Sequence, residues 1–350
     1  MASDDLAGRN NQTPGSSAAQ ALIVEQLALY AQPALEDGFL QPFAVGTNIL
    51  GVIPGGDLAD EYVVIGAHYD HLGSDCVTDN PVDQICNGAT DNASGVATVI
   101  SIARAIAAEG TPRRSVLVAL WDAEEDGLLG SAAYVADPVV PLAQTVAYLN
   151  FDIQGATLLP SLANVTIAIG AETGGDALTQ ATAHAMASST LQPLLLDSFL
   201  FEGRSDHANF AQAGIPSMLF TDSIGGCYHT AQDEADIVDF AKLDQQVVVG
   251  TSLVRELVAT DAPPRLDPLA PNIGFDDAAS LLAFAKQSEP DLPLLSPGAS
   301  VQILQFVIDL QAIVDAGAAA FDDAAIATVM NGIDQMVESL TRTSCQSFTP

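Results

Sequence analysis

Apolar and polar positions along this 350-residue chain follow two different spacings. Runs at residues 47–53, 62–67, 115–121, 146–151, 165–169 and 217–220 are largely apolar, the pattern of strands covered on both faces. Between them lie longer stretches at helical spacing: 16–30 behind a Pro-Gly-Ser-Ser start, the Ala/Val/Ile-rich 92–108, and then 175–187, 207–213 and 242–257. Strand and helix keep alternating, which predicts an α/β fold with a mostly parallel central sheet covered by helices. The opening ten or so residues are polar and expected to be mobile. The prolines of APPRLDPLAP, residues 262–271, stop the pattern. Beyond them 275–286, 300–315 and 322–341 read as three helices, with Asp276, Asp277, Asp322 and Asp323 where acids favour helix starts. The expected organisation is a main domain over 1–261, a Pro-rich connection over 262–271, and a helical extension over 272–350 packed on that domain.

Composition narrows the function. Hydrophobic residues make up 49%, ample for a packed core, and 44 acidic residues against 10 basic ones give a net charge of −34. Nucleic acid and anionic membranes are repelled by such a surface, whereas a cationic peptide amino group is attracted. No apolar run reaches the roughly 20 residues of a membrane-spanning helix, because polar residues interrupt even 301–314. The opening Met-Ala-Ser-Asp-Asp has none of the basic and apolar regions of a signal peptide, and a secreted or periplasmic protein without its leader is the expectation. A monomer is expected. Cys76 and Cys86 bracket a polar loop and read as a local disulfide; Cys227 with Cys345 then ties the C-terminus to the loop beside His229.

Five metal-capable side chains come just after apolar runs: His68, Asp91, Glu125, Asp152 and His229. They sit in VVIGAHYDHLG, GATDNASGVA, VLVALWDAEEDG, AYLNFDIQG and GGCYHTAQD, each where a strand is expected to end. An open α/β sheet places its active site there. Two histidines with carboxylates suit a pair of zinc ions, and Glu124 beside Glu125 is a ready general base. Glu124 and Glu125 alone read more readily as a solvated helix start than as a catalytic pair. Of the five histidines, at 68, 71, 184, 207 and 229, four lie in segments rich in Gly, Asp and Ser; His184, inside TQATAHAMA, is the exception and reads as structural.

These segments resemble the co-catalytic dizinc aminopeptidases, the secreted bacterial leucyl-type enzymes whose wider group includes glutamate carboxypeptidase and glutaminyl cyclase. The resemblance runs from the opening SDDLAGRNNQTPGSSAAQ to about Val258 and leaves the helical tail outside. It implies an eight-stranded mixed sheet sandwiched by helices, with two Zn²⁺ at the strand ends. It assigns His68 and Asp152 to one zinc, His229 and Glu125 to the other, and Asp91 to both. It makes Asp70 the acid that orients His68 and Glu124 the general base, acting on a hydroxide shared by the metals. Tyr228 and Arg204 match residues that stabilise the oxyanion, although an ion pair with a nearby Asp explains Arg204 equally well. Asp206 and His207 are expected to organise their loop. The implied activity is removal of N-terminal residues from peptides with a free amino end. One departure from the family pattern is that Cys227 has no partner a few residues on.

The nearest rival is a glutaminyl cyclase, which shares the fold but uses a single zinc; its WHT pattern differs from YHT here. A non-catalytic binding protein of the same fold loses ligands, and all five are present. An acidic salt-tolerance or calcium-binding protein explains the charge but not the placement of His68 and His229. Scarcity of Arg and Lys disfavours glutamate carboxypeptidase specificity.

Overall fold

The structure, a computed structural model, describes residues 1–76, 82–198, 203–270, 273–341 and 345. Among them nine strands form one sheet: β1 (Gln32–Pro33), β2 (Leu40–Phe43), β3 (Gly46–Ile53), β4 (Leu58–His68), β5 (Arg114–Trp121), β6 (Thr145–Phe151), β7 (Val165–Ile169), β8 (Gln192–Leu196) and β9 (Ser217–Thr221). The α-helices are α1 (Pro14–Leu27), α2 (Ser94–Ala108), α3 (Leu129–Ala136), α4 (Gly175–Met186), α5 (His207–Gln212), α6 (Phe240–Ala259), α7 (Phe275–Ser288), α8 (Pro297–Ala316) and α9 (Asp323–Thr341).

β4 lies at the centre, parallel to β5 on one side and to β6 on the other. The chain leaves β4 through α2 to reach β5, then passes through α3 to the opposite neighbour, β6. Strand order therefore reverses about β4, and a crevice opens at the carboxyl ends of these strands. β9 extends the parallel set beside β6, while β3 beside β5 and β7 beside β9 run antiparallel. The sheet is thus mixed with a parallel centre, as expected, but has one strand more than the resemblance implies. The short β1 pairs only Gln32 and Pro33 with β3.

Alternation along the central strands explains the two faces. Val63, Ile65, Ala67, Val116, Val118 and Leu120 face α1, α2, α4 and α6, whereas Val64, Leu117, Ala119 and Trp121 face Tyr134 of α3 and Phe210 of α5. With both faces covered, neither side carries a polar stripe. The third core joins β7 and β8 to the tail: Ile167, Leu194 and Leu196 pack with Leu281, Phe306, Leu310, Ile333 and Val337.

Two expectations need correction, and two strands were not foreseen. The opening residues are not loose: a 3-10 segment at Asp4–Arg9 buries Gly8 and Arg9 completely enough that Gly8, at φ +68°, has Cys86 O only 2.6 Å from where a Cβ would stand. β2 and β8 escape the apolar pattern because each contains a proline, Pro42 and Pro193, which strands accept at sheet edges. By length and composition α8 is apolar enough to cross a membrane. Its Ile303, Phe306, Val307 and Leu310 are buried in the third core.

Candidate metal centre

Sequence placed every candidate ligand at a strand end, and the structure bears this out for three. His68 closes β4, Asp152 directly follows β6, and Glu124 and Glu125 lie in the turn after β5. The other two come from loops. Asp91 sits in the turn entering α2, and His229 lies between β9 and α6; their preceding segments are too short and Gly-rich for strands. Both loops cross the same end of the sheet and bring all five groups together.

Asp91 is the hub. His68 Nε2 lies 3.2 Å from Asp91 Oδ1, and His229 Nε2 lies 3.3 Å from Asp91 Oδ2, so each oxygen of one buried carboxylate faces a different imidazole. On one side Asp152 Oδ1 is 3.3 Å from His68 Nε2; on the other Glu125 Oε2 is 3.0 Å from His229 Nε2. Donors bound tetrahedrally about 2.0–2.1 Å from a zinc ion stand roughly 3.3 Å apart, and these spacings match. Two of the facing atoms, Asp152 Oδ1 and His229 Nε2, are buried without a hydrogen-bond partner among the described residues. Buried polar atoms rarely stay unpaired, and a cation on each side of Asp91 would satisfy one of them. The donor set therefore fits two cations sharing Asp91.

The surroundings aim these groups. Asp70 O accepts from His68 Nδ1 at 3.2 Å, which leaves the Nε2 lone pair for a metal. β4 ends at His68, so Asp70 lies past the strand rather than within it. Its carboxylate is 3.5 Å from His68 Nδ1 and also accepts from the backbone N–H groups of Glu124 at 3.1 Å and Glu125 at 3.2 Å, fixing the turn that carries both acids. Asp233 accepts from Thr90 N, Thr90 Oγ1 and Asp91 N and thereby anchors the Asp91 turn. A continuous chain runs from Trp121 Nε1 to Tyr148 Oη, Tyr148 Oη to Asn150 Oδ1, Asn150 Nδ2 to Ser205 Oγ, and Ser205 Oγ to Asp152 Oδ2. It occupies one oxygen of Asp152 and leaves Oδ1 for the ion. Asp206 accepts from Ser131 Oγ of α3.

Acids outnumber cations throughout the site. Burial, and then the neighbouring Asp152, Asp206 and Glu125, push the Glu124 carboxyl well above the usual range, while His68 pulls the other way. Burial is also the main reason that Asp206 rises to about 7. Against burial, which lowers it, the facing carboxylates of Asp91 and Glu125 raise His229 to about 10. Burial favours the protonated form of Asp91, but the facing imidazoles of His229 and His68 outweigh it and hold the carboxyl well below its ordinary value. Such a cluster calls for positive charge at its centre.

A cavity of about 60 Å³ opens onto His68, Asp91, Glu124 and Asp152, with Tyr228 and Arg204 also in its wall. The Tyr228 ring stacks on His229 at 3.7 Å, and burial raises its phenol, keeping the hydroxyl a donor. Arg204 Nη2 donates to Asp334 Oδ1 at 3.0 Å, the ion pair that the sequence left open. Both expected disulfides, Cys76–Cys86 and Cys227–Cys345, are present.

Two contributors were not singled out from sequence. His71 Nδ1 lies 2.7 Å from Glu125 Oε1, on the oxygen turned away from His229. That distance is a hydrogen bond rather than the spacing of two ligands on one ion, so His71 clamps Glu125 with one oxygen left for the metal. The second His of HYDH was the available signal. Arg9 is fully buried and donates to Tyr69 O at 2.9 Å, Asn87 O at 2.5 Å, Gly88 O at 3.1 Å and Met1 O at 3.0 Å. It ties the turn after His68 to the loop before Asp91.

Comparison with known proteins bears on the family and the fold. The description "Peptidase family M28" matches residues 48–249. A probable glutamate carboxypeptidase VP8 from Zea mays is 32% identical over 200 residues, covering 53% of this chain and 26% of the relative. The chain therefore spans about a quarter of that relative's length. Among solved structures, BSAP, a zinc aminopeptidase from Bacillus subtilis, superposes with a TM-score of 0.51 at 24% identity, covering 63% of this chain and 53% of BSAP. Porphyromonas gingivalis glutaminyl cyclase does so with a TM-score of 0.57 at 19% identity, covering 72% of this chain and 93% of the cyclase. At these identities the structural likeness establishes the fold. The family match covers more than half of the sequence, and the chain belongs to peptidase family M28.

Proposed function

We propose that the chain is a zinc-dependent aminopeptidase in which His68, Asp91 and Asp152 hold one ion and His229, Asp91 and Glu125 a second. The observation that carries this reading is Asp91, whose two oxygens face two different histidines at 3.2 and 3.3 Å. When bound, the ions supply Lewis acidity toward a peptide carbonyl and make water at the site more acidic. The remaining chemistry belongs to the chain's own side chains. Glu124 lines the cavity next to a ligand, takes the proton of the attacking water and returns it to the leaving amine. Tyr228 Oη donates to the charge developing on the carbonyl oxygen. The surplus of carboxylates draws the cationic amino end of a peptide, which selects an exopeptidase acting from the N-terminus. Among the described cavity residues Arg204 is the one Arg or Lys, and it is paired with Asp334, so a substrate carboxylate finds little to hold it. The two disulfides favour an oxidising compartment, secreted or periplasmic.

Glu124→Gln tests the reading. The variant is expected to keep its zinc and to lose about 10²–10⁴-fold in turnover of aminoacyl anilides. Full activity in that variant would remove Glu124 as the base. Release of ammonia from an N-terminal glutamine peptide without hydrolysis of anilides would assign a cyclase instead.

A further inference from the structure

Val337 of α9 stands in the wall of the cavity that opens onto His68, Asp91 and Asp152, although α9 lies outside the family match. Within the cavity lining, His68, Asp91, Glu124 and Asp152 belong to the candidate metal centre, Ile153, Leu219, Ile224 and Val337 form an apolar part, and the remaining residues are polar. A peptide whose scissile carbonyl lies against the metal-centre residues finds in the apolar part a wall for an apolar terminal side chain. Val337 and Ser223 also line a smaller void of about 20 Å³ that continues into the third core beside Phe284 and Met336. These two residues are the partition between the cavity and the space behind it.

α9 is held in this position from two directions. One turn before Val337, Asp334 pairs with Arg204 on the cavity wall at 3.0 Å. Beyond the helix, Cys345 is bonded to Cys227, which directly precedes Tyr228 and His229. Ile333, Met336 and Leu340 anchor its inner face in the third core.

We propose that the helical tail sets the size of the substrate side chain, with Val337 as a specificity-determining residue for peptides that begin with an apolar amino acid. The proposal rests on the aminopeptidase reading. Removing two methyl groups at Val337 joins the cavity to the void behind it, and a longer side chain at the same position fills it. One methylene in an apolar pocket changes discrimination by about 10–200-fold, so the expected shift is at least tenfold.

The test measures kcat and KM of the wild type, Val337→Ala and Val337→Met on the anilides of alanine, leucine and phenylalanine. The Ala variant is expected to raise the phenylalanine-to-alanine ratio of kcat/KM about tenfold, and the Met variant to lower it. Calorimetric binding of free L-alanine and L-phenylalanine to the zinc-loaded proteins separates the pocket from the activity. An inactive wild type whose Ala variant nevertheless gains affinity for phenylalanine over alanine would defeat the peptidase reading and support the wall. Variants that keep their zinc and unfolding temperature but show the wild-type ratio in both assays would overturn the proposal.

Discussion

Replacing Arg9 by Met tests whether the N-terminal segment builds the metal centre. The side chain stays roughly the same length, but three loop carbonyls, Tyr69 O, Asn87 O and Gly88 O, lose donors at 2.9, 2.5 and 3.1 Å. A buried group left without its partner costs about 1–3 kcal/mol. The charge also disappears: burial lowers the guanidinium to about 10, Asp70, Asp233, Asp91 and Glu125 oppose that fall, and it remains cationic at neutral pH. Because the loops can relax toward water, the losses do not add fully, and breaking one partner of a buried charged cluster costs about 3–5 kcal/mol. Urea unfolding of the metal-free protein should therefore show Arg9→Met less stable by that amount. Zinc titration should show weaker binding, because the Asn87–Gly88 carbonyls fix the loop carrying Asp91. Arg9→Lys, which keeps the charge but loses the planar fork, should fall between the two. A Met variant within about 1 kcal/mol of the wild type and unchanged in zinc affinity would refute the reasoning.

Other consequences are independent of Arg9. His71→Ala frees Glu125 Oε1, so the ion beside His229 should bind about 10–100-fold more weakly while the ion beside His68 is retained; His71→Asn, which restores an N–H at the same place, should recover much of the loss. Equal loss of both ions in a folded His71→Ala variant would contradict that selectivity. At the junction of β8 and α7, burial and then Asp277 raise the Asp197 carboxyl to about 8 from its ordinary 3.8. A raised folded pKa favours the neutral acid, so its contribution is complete below about pH 4 and disappears as pH rises through about 8. Asp197→Asn should match the wild type at pH 4 and exceed it at pH 8, by roughly 1 kcal/mol after allowance for solvent screening at this half-exposed site. A difference that does not change with pH in urea unfolding would argue against the shift.

Much of the fold and the candidate site was legible because parallel strands covered on both faces must be apolar throughout. The first His or acid after such a run marks the sheet's carboxyl end, as at His68 and Asp152. Loop-borne groups are less readable, since position along the chain does not say which end of the sheet a loop crosses. Asp91 and His229 were expected at strand ends like the others, and the structure puts them in loops instead. Arg9 was hidden because its carbonyl partners Tyr69 and Gly88 lie 60 and 79 residues away, and a polar segment gives no sign of burial. The tail helices announced their apolar faces without naming what those faces cover. Val337 at the cavity wall emerges only from the tertiary packing.

The central claim is that one carboxylate, Asp91, joins two cation sites. Anomalous diffraction at the zinc edge from crystals grown with excess zinc tests it most directly. The account predicts two peaks, one among His68, Asp91 and Asp152 and one among His229, Asp91 and Glu125, each within about 2.0–2.2 Å of an Asp91 oxygen. A single peak, or two peaks without Asp91 between them, would contradict it.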